Sequence, residues 1–174
     1  RRARLPVHRS TVLPPQTDRQ HHETTKPHRP SFVHNESMPA PEPFIWHTRI
    51  RFVDTDATGR IHYSALFRHV ETAEDEFFRM LGRPYFATEH NGLSYPRVHV
   101  EADYRLPLLY DSEISIRVRP TRIGSKSYTL FFEVMLDSQV AATATLIIAC
   151  MSKATQKSHP IPDALREALT PYAV

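Results

Sequence analysis

Residues 54–63 read Asp-Thr-Asp-Ala-Thr-Gly-Arg-Ile-His-Tyr, and this stretch decides the fold that we expect for the chain. It contains two carboxylates and a glycine, and it lies between a strand-like run and a long amphipathic segment. A carboxylate in such a connection can lie beside the free backbone amides that open a helix. Carbonyl chemistry uses that pairing, because one group delivers or activates a nucleophile while the other stabilises the developing oxyanion.

The ten residues before this stretch alternate in the way that a half-buried strand does. We therefore predict a strand over residues 44–53. The side chains expected on its buried face are Trp46, Thr48, Ile50 and Phe52.

Residues 64–81 follow a helical period and predict one long helix, about 27 Å in length at ~1.5 Å per residue. Its apolar stripe consists of Leu66, Val70, Ala73, Phe77 and Leu81, widened by Phe67 and Phe78. Ser64 is the expected N-cap, and Gly82 followed by Pro84 is a typical stop signal.

After a predicted loop at 83–92, the period changes to two and predicts four strands with breaks at 107–111, 120–125 and 137–139. The face expected to point inward on the first of them carries Val98, Val100, Ala102, Tyr104 and Leu106. Residues 161–169 predict a short last helix. The fold class is therefore α+β, a curved antiparallel sheet of about five strands around one long central helix. Because one helix covers only one face of the sheet and the edges stay open, we expect at least a dimer.

Residues 1–43 differ from the remainder of the chain. They hold eight of the 15 prolines, none of the four glycines and no periodic apolar pattern. Such a segment cannot bury enough apolar surface to offset its ordering entropy, so we predict a disordered tail before a domain at 44–174. Its Arg-rich, acid-poor composition is also typical of an organelle transit peptide, but without an amphipathic period we interpret it as sequence upstream of a start at Met38.

The charge balance and the single cysteine limit the function classes. The tail carries seven Lys and Arg against four Asp and Glu, which accounts for the whole formal net charge of +3. The neutral remainder gives no global signal for nucleic-acid binding. With Cys150 alone, no disulfide can form within the chain, which is typical of a reducing compartment. No apolar run approaches the ~20 residues needed to cross a bilayer, and we predict a cytoplasmic protein.

The ordered motifs resemble those of the 4-hydroxybenzoyl-CoA thioesterase-like hotdog-fold acyl-CoA thioesterases. The resemblance covers about residues 44–170, and the tail has no counterpart. The matching segments are 51–59, Tyr63, the helix with Phe67 and Glu71, Tyr95-Pro96, 101–111, 122–128 and Pro160-Ile161-Pro162. The resemblance implies a hotdog fold, hydrolysis of an acyl-CoA thioester, a homodimer or homotetramer, and no cofactor, since coenzyme A enters as part of the substrate.

The same resemblance assigns roles around residues 54–63. Asp56 matches the catalytic carboxylate, which acts as nucleophile or general base, and the backbone N–H of Tyr63 matches the oxyanion donor. Gly59 is expected to allow a tight turn with positive φ. His62 is expected to contact substrate or to line the pocket wall, and Glu71 on the helix is the reserve carboxylate.

Two further segments match substrate-binding positions. Tyr95 and Pro96, together with Ser94, match residues that line the thioester pocket across the dimer interface. Lys126 and Ser127 match a segment that contacts the nucleotide phosphates of coenzyme A. Some relatives carry successive arginines where this chain has Gly124 and Ser125, which leaves Lys126 as the main point charge.

Each assignment has a simpler structural alternative. Asp56 could merely cap a turn, Asp54 could orient the loop or be solvated, and a metal site from Asp54, Asp56 and His62 is compatible with their ligand types. The resemblance argues against a metal. A non-catalytic module that binds acyl-CoA or acyl carrier protein is the alternative function. A hotdog dehydratase is the third, and it lacks a convincing His–Asp pair, since His99 and Asp103 lie in a single predicted strand.

Overall fold

A computed structural model describes residues 41–84 and 92–174 of the chain. The predicted disorder of the tail therefore lies almost wholly outside the described residues, apart from exposed, irregular residues 41–43. The predicted loop at 83–92 is described only at its two ends. None of the helices in these ranges is both long enough and apolar enough to span a bilayer.

The described residues form one five-stranded antiparallel sheet with a long helix, as predicted. The elements are β1 (Phe44–Arg49), α1 (Ala65–Met80), β2 (Leu93–Ser94), β3 (Arg97–Tyr104), β4 (Glu113–Ile123), β5 (Ser127–Leu136), β6 (Gln139–Ala149), β7 (Met151–Ser152) and α2 (Asp163–Leu169). The strand order is β1-β4-β5-β6-β3, and the short strands β2 and β7 pair separately. Single turns of 3-10 helix lie at Phe52–Asp54 and Thr170–Tyr172.

The three central strands bury the apolar faces that their alternation predicts. Ile116 and Val118 of β4 are fully buried, and they pair with Val134 and Phe132 of β5. Strand β4 runs to Ile123, beyond the predicted break at residue 120. The reason is a β-bulge between Pro120 and Arg122, since a proline cannot donate a ladder hydrogen bond and a bulge accommodates it.

Helix α1 packs its apolar stripe on this sheet, with Leu66, Val70, Ala73 and Phe77 fully buried. It has 16 residues and is about 24 Å long, slightly shorter than predicted. Ser64 occupies the N-cap position, but its side chain makes no capping hydrogen bond. The predicted N-cap position is therefore confirmed, but the Ser64 hydroxyl bonds to the His62 ring instead of to a helix amide.

The C-terminus of α1 ends as the sequence predicts. Gly82 has φ +69°, its N–H donates to the Arg79 carbonyl at 3.0 Å, and the Arg83 N–H donates to the Phe78 carbonyl at 2.8 Å. These two bonds form a Schellman motif, which satisfies carbonyls that a helix end otherwise leaves unpaired.

Two predicted strand faces are wrong in part. Phe52 is 80% exposed, because the chain leaves β1 after Arg49 and turns into a 3-10 helix. A register shift between Arg97 and His99 aligns Arg97, not Val98, with the inward-facing Ile148. Arg97 there pairs with the buried Glu74 of α1 at 2.6 Å, and Val98 is 61% exposed.

Candidate active site

Residues 55–62 form a compact connection between the 3-10 turn and α1. The Asp56 N–H donates to the Arg60 carbonyl at 2.8 Å, and the Gly59 N–H donates to the Asp56 carbonyl at 3.0 Å. Gly59 has φ +76°, which confirms the predicted positive φ. The connection is tied to the loop before β4, because the Ile61 N–H donates to the Leu108 carbonyl at 2.7 Å. It is therefore a hydrogen-bonded element that can hold side chains in place.

Asp56 lies exposed on this connection. Its Oδ1 accepts the N–H of Thr58 at 2.7 Å and the hydroxyl of Thr58 at 2.6 Å. The Thr58 hydroxyl and then its N–H lower the pKa of Asp56, and the nearby His62 contributes in the same direction. The turn-capping role considered from the sequence is thus present. The same bonds keep the side chain ionised and oriented, as a nucleophile or general base requires.

The backbone around Tyr63 leaves one amide without an acceptor. The His62 N–H donates to the Asp54 carbonyl at 2.7 Å, and the Ala65 N–H donates to the His62 carbonyl at 2.8 Å. The Ser64 N–H approaches His62 Nδ1 at 3.3 Å. Across the ranges that the structure describes, the Tyr63 N–H has no hydrogen-bond acceptor. It can therefore bind an oxyanion at the start of α1.

The side chain of Tyr63 is 70% exposed, and its ring lies 4.4 Å from that of His62 between centroids. Its carbonyl accepts a hydrogen bond from the hydroxyl of Tyr104 in β3. That bond fixes the Tyr63 peptide group against the edge strand of the sheet. The Nδ1 of His62 lies 2.8 Å from the Ser64 hydroxyl and also receives the Ser64 N–H, so neutral His62 carries its proton on Nε2.

Asp54 is the buried carboxylate of the pair, with only 4% of its surface exposed. Its side chain accepts the Arg51 N–H at 2.9 Å, Nη2 of Arg68 at 3.0 Å and Nε2 of His69 at 3.1 Å. Burial alone raises the pKa of Asp54, but these three donors outweigh it and the pKa is lowered. The structure therefore excludes the solvated alternative for Asp54.

His69 and Arg68 were missed as partners of the site by the sequence reasoning. A signal for His69 existed, because it lies three residues after Leu66 and four before Ala73, inside the buried stripe. A histidine there needs a polar partner. Nothing in the local pattern identifies Asp54 as that partner, since the two residues meet only through the fold.

The other predicted positions lie elsewhere in the chain. Tyr95 is buried beside Cys150 and Tyr128. Burial raises the pKa of the Cys150 thiol, and the Tyr95 hydroxyl offsets part of that rise. Pro96 is half-buried, and its carbonyl accepts the Ala149 N–H at 3.0 Å. Both residues lie between β2 and β3 and are therefore outside the stretch at 54–63.

Lys126 and Ser127 lie at the β4–β5 turn. Nζ of Lys126 is 3.5 Å from the Ser158 hydroxyl, and Ser127 is half-buried. The eleven residues of β4 separate this turn from the loop that contacts Gly59, a span of up to about 36 Å. Within one chain the structure therefore brings together Asp56, Gly59, His62 and Tyr63, but not Lys126 and Ser127.

Glu71, the reserve carboxylate, is exposed on α1. Asp54 faces Arg68 and His69 rather than sharing a metal position with Asp56. Throughout residues 41–84 and 92–174, no three His, Cys, Asp or Glu side chains lie close enough together to hold a metal ion.

Comparison with known proteins identifies the family of the chain. Residues 50–169 match the thioesterase-like superfamily. A protein of Aquifex aeolicus, provisionally named an esterase, is 31% identical over 127 residues, covering 73% of this chain and 98% of the relative. The 1,4-dihydroxy-2-naphthoyl-CoA hydrolase of Synechococcus elongatus is 28% identical over 123 residues, covering 69% of this chain and 90% of that protein.

Among solved structures, a gentisyl-coenzyme A thioesterase superposes with a TM-score of 0.67 and 25% sequence identity. The superposition covers 72% of this chain and 99% of that one. The predicted hotdog fold and the predicted enzyme class, a thioester hydrolase, are confirmed at the level of the family. The chain belongs to the thioesterase-like superfamily.

Proposed function

We propose that this protein is an acyl-CoA thioesterase of the 4-hydroxybenzoyl-CoA thioesterase-like kind, which hydrolyses a thioester to a carboxylic acid and free coenzyme A. The observation that carries the proposal is the pairing of an ionised, exposed Asp56 with the free Tyr63 amide in one hydrogen-bonded connection. One group can attack or activate water, and the other can stabilise the oxyanion.

In the general-base route, Asp56 takes a proton from water as the water oxygen bonds to the thioester carbon. The carbonyl oxygen gains negative charge and accepts the Tyr63 N–H. Collapse of the tetrahedral intermediate breaks the C–S bond, and the coenzyme A thiolate takes up a proton. In the nucleophilic route, an Asp56 oxygen bonds to the carbonyl carbon, the C–S bond breaks, and the coenzyme A thiolate leaves and takes up a proton. Water then hydrolyses the mixed anhydride to the carboxylic acid and the free Asp56 carboxylate. Neither route requires a cofactor.

The length of β4 supports a site built from two protomers. A substrate carbonyl beside Asp56 lies far from Lys126 and Ser127 of the same chain. We therefore propose that Lys126 and Ser127 of one protomer contact the phosphates of a substrate whose thioester is bound at Asp56 of another. Tyr95 and Pro96 complete the thioester pocket in this arrangement. The working form is then a homodimer or homotetramer, and we place it in the cytoplasm.

The relatives suggest the acyl group. One hydrolyses 1,4-dihydroxy-2-naphthoyl-CoA and another is a gentisyl-coenzyme A thioesterase, and both names denote hydroxylated aromatic acids. We propose an aromatic acyl-CoA as the substrate class of this chain.

The test is thiol release from a panel of aromatic and short-chain acyl-CoA thioesters by the wild type and by Asp56→Asn. The variant should keep its Tm, because Asp56 is exposed, and lose about 10²–10⁴ in kcat if the carboxylate is a general base. Asp137→Asn, on the β5–β6 turn, is the matched control and should retain wild-type kcat. Full activity in Asp56→Asn would refute the assignment. Tight binding of the panel without thiol release by the wild type would instead identify a non-catalytic acyl-CoA-binding module.

A further inference from the structure

We infer that Asp54 is a positioning residue, whose buried contacts with Arg68 and His69 hold the Asp56 carboxylate and the Tyr63 amide in their relative places. This inference rests on the proposed thioester hydrolysis. Asp54 itself does not face the substrate, because its carboxylate is buried between the 3-10 turn and α1.

The side chain of Asp54 joins two parts of the chain. The Arg51 N–H connects it to the segment that follows β1, at 2.9 Å. Arg68 and His69 connect it to the first two turns of α1, at 3.0 Å and 3.1 Å. A carboxylate accepts several hydrogen bonds at once, so one group fixes the distance between the strand end and the helix start.

The backbone of Asp54 reaches both proposed reacting groups. Asp56 follows it by two residues. The Asp54 carbonyl accepts the N–H of His62 at 2.7 Å, and the residue after His62 is Tyr63, which carries the free amide. Movement of Asp54 relative to α1 would therefore shift the carboxylate and the amide with respect to each other.

The burial and charge of Asp54, Arg68 and His69 indicate that this cluster positions the site rather than adding to the free energy of unfolding. The carboxylate is desolvated, while its charge partner Arg68 has a side chain that is 55% exposed, so solvent screens much of their attraction. His69 is held on its other side by Trp46 of β1, with ring centroids 6.3 Å apart. A buried polar network of this kind fixes one arrangement but adds little net stability over apolar packing.

The experiment compares kcat and KM of Asp54→Asn and Arg68→Ala with wild type, using the aromatic acyl-CoA that the wild type hydrolyses best. Because a misplacement of about 1 Å can cost 10²-fold in rate, Asp54→Asn should lose about 10- to 100-fold in kcat with KM within about threefold. Arg68→Ala removes one hydrogen-bond donor of Asp54 from a side chain that is half exposed. This variant should fold, and its kcat should fall less than that of Asp54→Asn. The control Leu169→Ala, which removes a fully buried side chain of α2, should lower Tm and leave kcat unchanged below the transition.

A second readout does not depend on turnover. The His62 N–H, which bonds to the Asp54 carbonyl, should exchange with deuterium faster in Asp54→Asn, while amides in β4 to β6 keep wild-type rates. In Asp54→Asn combined with Asp56→Asn, the fold-loss in kcat should be smaller than the product of the two single losses, because part of the effect of Asp54 acts through the Asp56 carboxylate.

The outcomes separate the two proposals. If Asp56→Asn loses turnover while Asp54→Asn and Arg68→Ala keep wild-type kcat and His62 exchange, the positioning role is overturned and the thioesterase assignment stands. If Asp56→Asn is fully active, the catalytic assignment fails first. An additive loss in the double variant would show that Asp54 acts independently of Asp56 and would also overturn the inference.

Discussion

At the scale of single residues, two aspartates that lie two positions apart have opposite environments. Asp54 is 4% exposed and accepts three donors, whereas Asp56 is exposed and its Oδ1 accepts the N–H and the hydroxyl of Thr58 in its own turn. The sequence motif contains both residues, and its resemblance to the family predicts a catalytic role for Asp56. The burial of Asp54 could not be predicted locally, because its partners Arg68 and His69 reach it from a different element.

This difference predicts a pH dependence of stability. The pKa of Asp54 is lower in the folded chain than its usual value of about 3.9, so its stabilising contribution is present above that value and is lost as pH falls through the folded pKa. The free energy of unfolding of wild type should therefore exceed that of Asp54→Asn at pH 7, and the gap should narrow steadily below about pH 4. Urea unfolding at several pH values measures it. A gap of constant size across that range would contradict the prediction.

At the scale of elements, the periodicity of the sequence predicted the helix and the central strands. It misplaced the segments whose conformation depends on contacts with other elements. Strands β4 to β6 and helix α1 follow their periods closely. The end of β1 and the register at Arg97 do not. A 3-10 turn fastened by Asp54 interrupts the first, and the pairing with Glu74 brings Arg97 inward in the second. Glu74 lies 23 residues before Arg97, and Asp54 is held in its turn by Arg68 and His69 of α1, so alternation alone cannot reveal either cause.

The end of α1 offers a test of backbone conformation alone. Gly82 has φ +69°, and an added Cβ would meet no heavy atom of residues 41–84 or 92–174 within 4 Å. Gly82→Ala should therefore destabilise the fold by about 1 kcal/mol through the left-handed conformation and not through a clash. Gly82→Asn should cost less, because asparagine tolerates this region. Denaturant midpoints rank the three proteins, and an Asn variant as unstable as the Ala variant would contradict the expectation.

At the scale of the whole molecule, β3 stands at an edge of the five-stranded sheet with apolar side chains exposed. Val100 and Tyr104, which pair with the buried Leu146 and Ala142 of β6, are 45% and 44% exposed. A natural edge strand is normally protected by charge, by covering or by pairing, so this one is the expected surface for another protomer. The sequence predicted at least a dimer. It could not identify which edge, since both edges read as ordinary alternating strands.

Val100→Lys should therefore weaken self-association, because it introduces a charge into the proposed apolar interface. Light scattering coupled to size-exclusion chromatography should show wild type as a dimer or tetramer and the variant shifted toward the monomer. Val174→Lys is the matched control, since Val174 is 79% exposed at the chain end, and it should leave the assembly intact. A wild type that runs as a monomer at every concentration would contradict the proposed two-protomer site.

The hydrogen bond from the Tyr104 hydroxyl to the Tyr63 carbonyl gives this edge a second significance. The strand that is open to association also clamps the peptide unit next to the proposed oxyanion donor. Quaternary structure and chemistry would then be mechanically linked, so that a solitary subunit would be a poorer catalyst even with every reacting group in place.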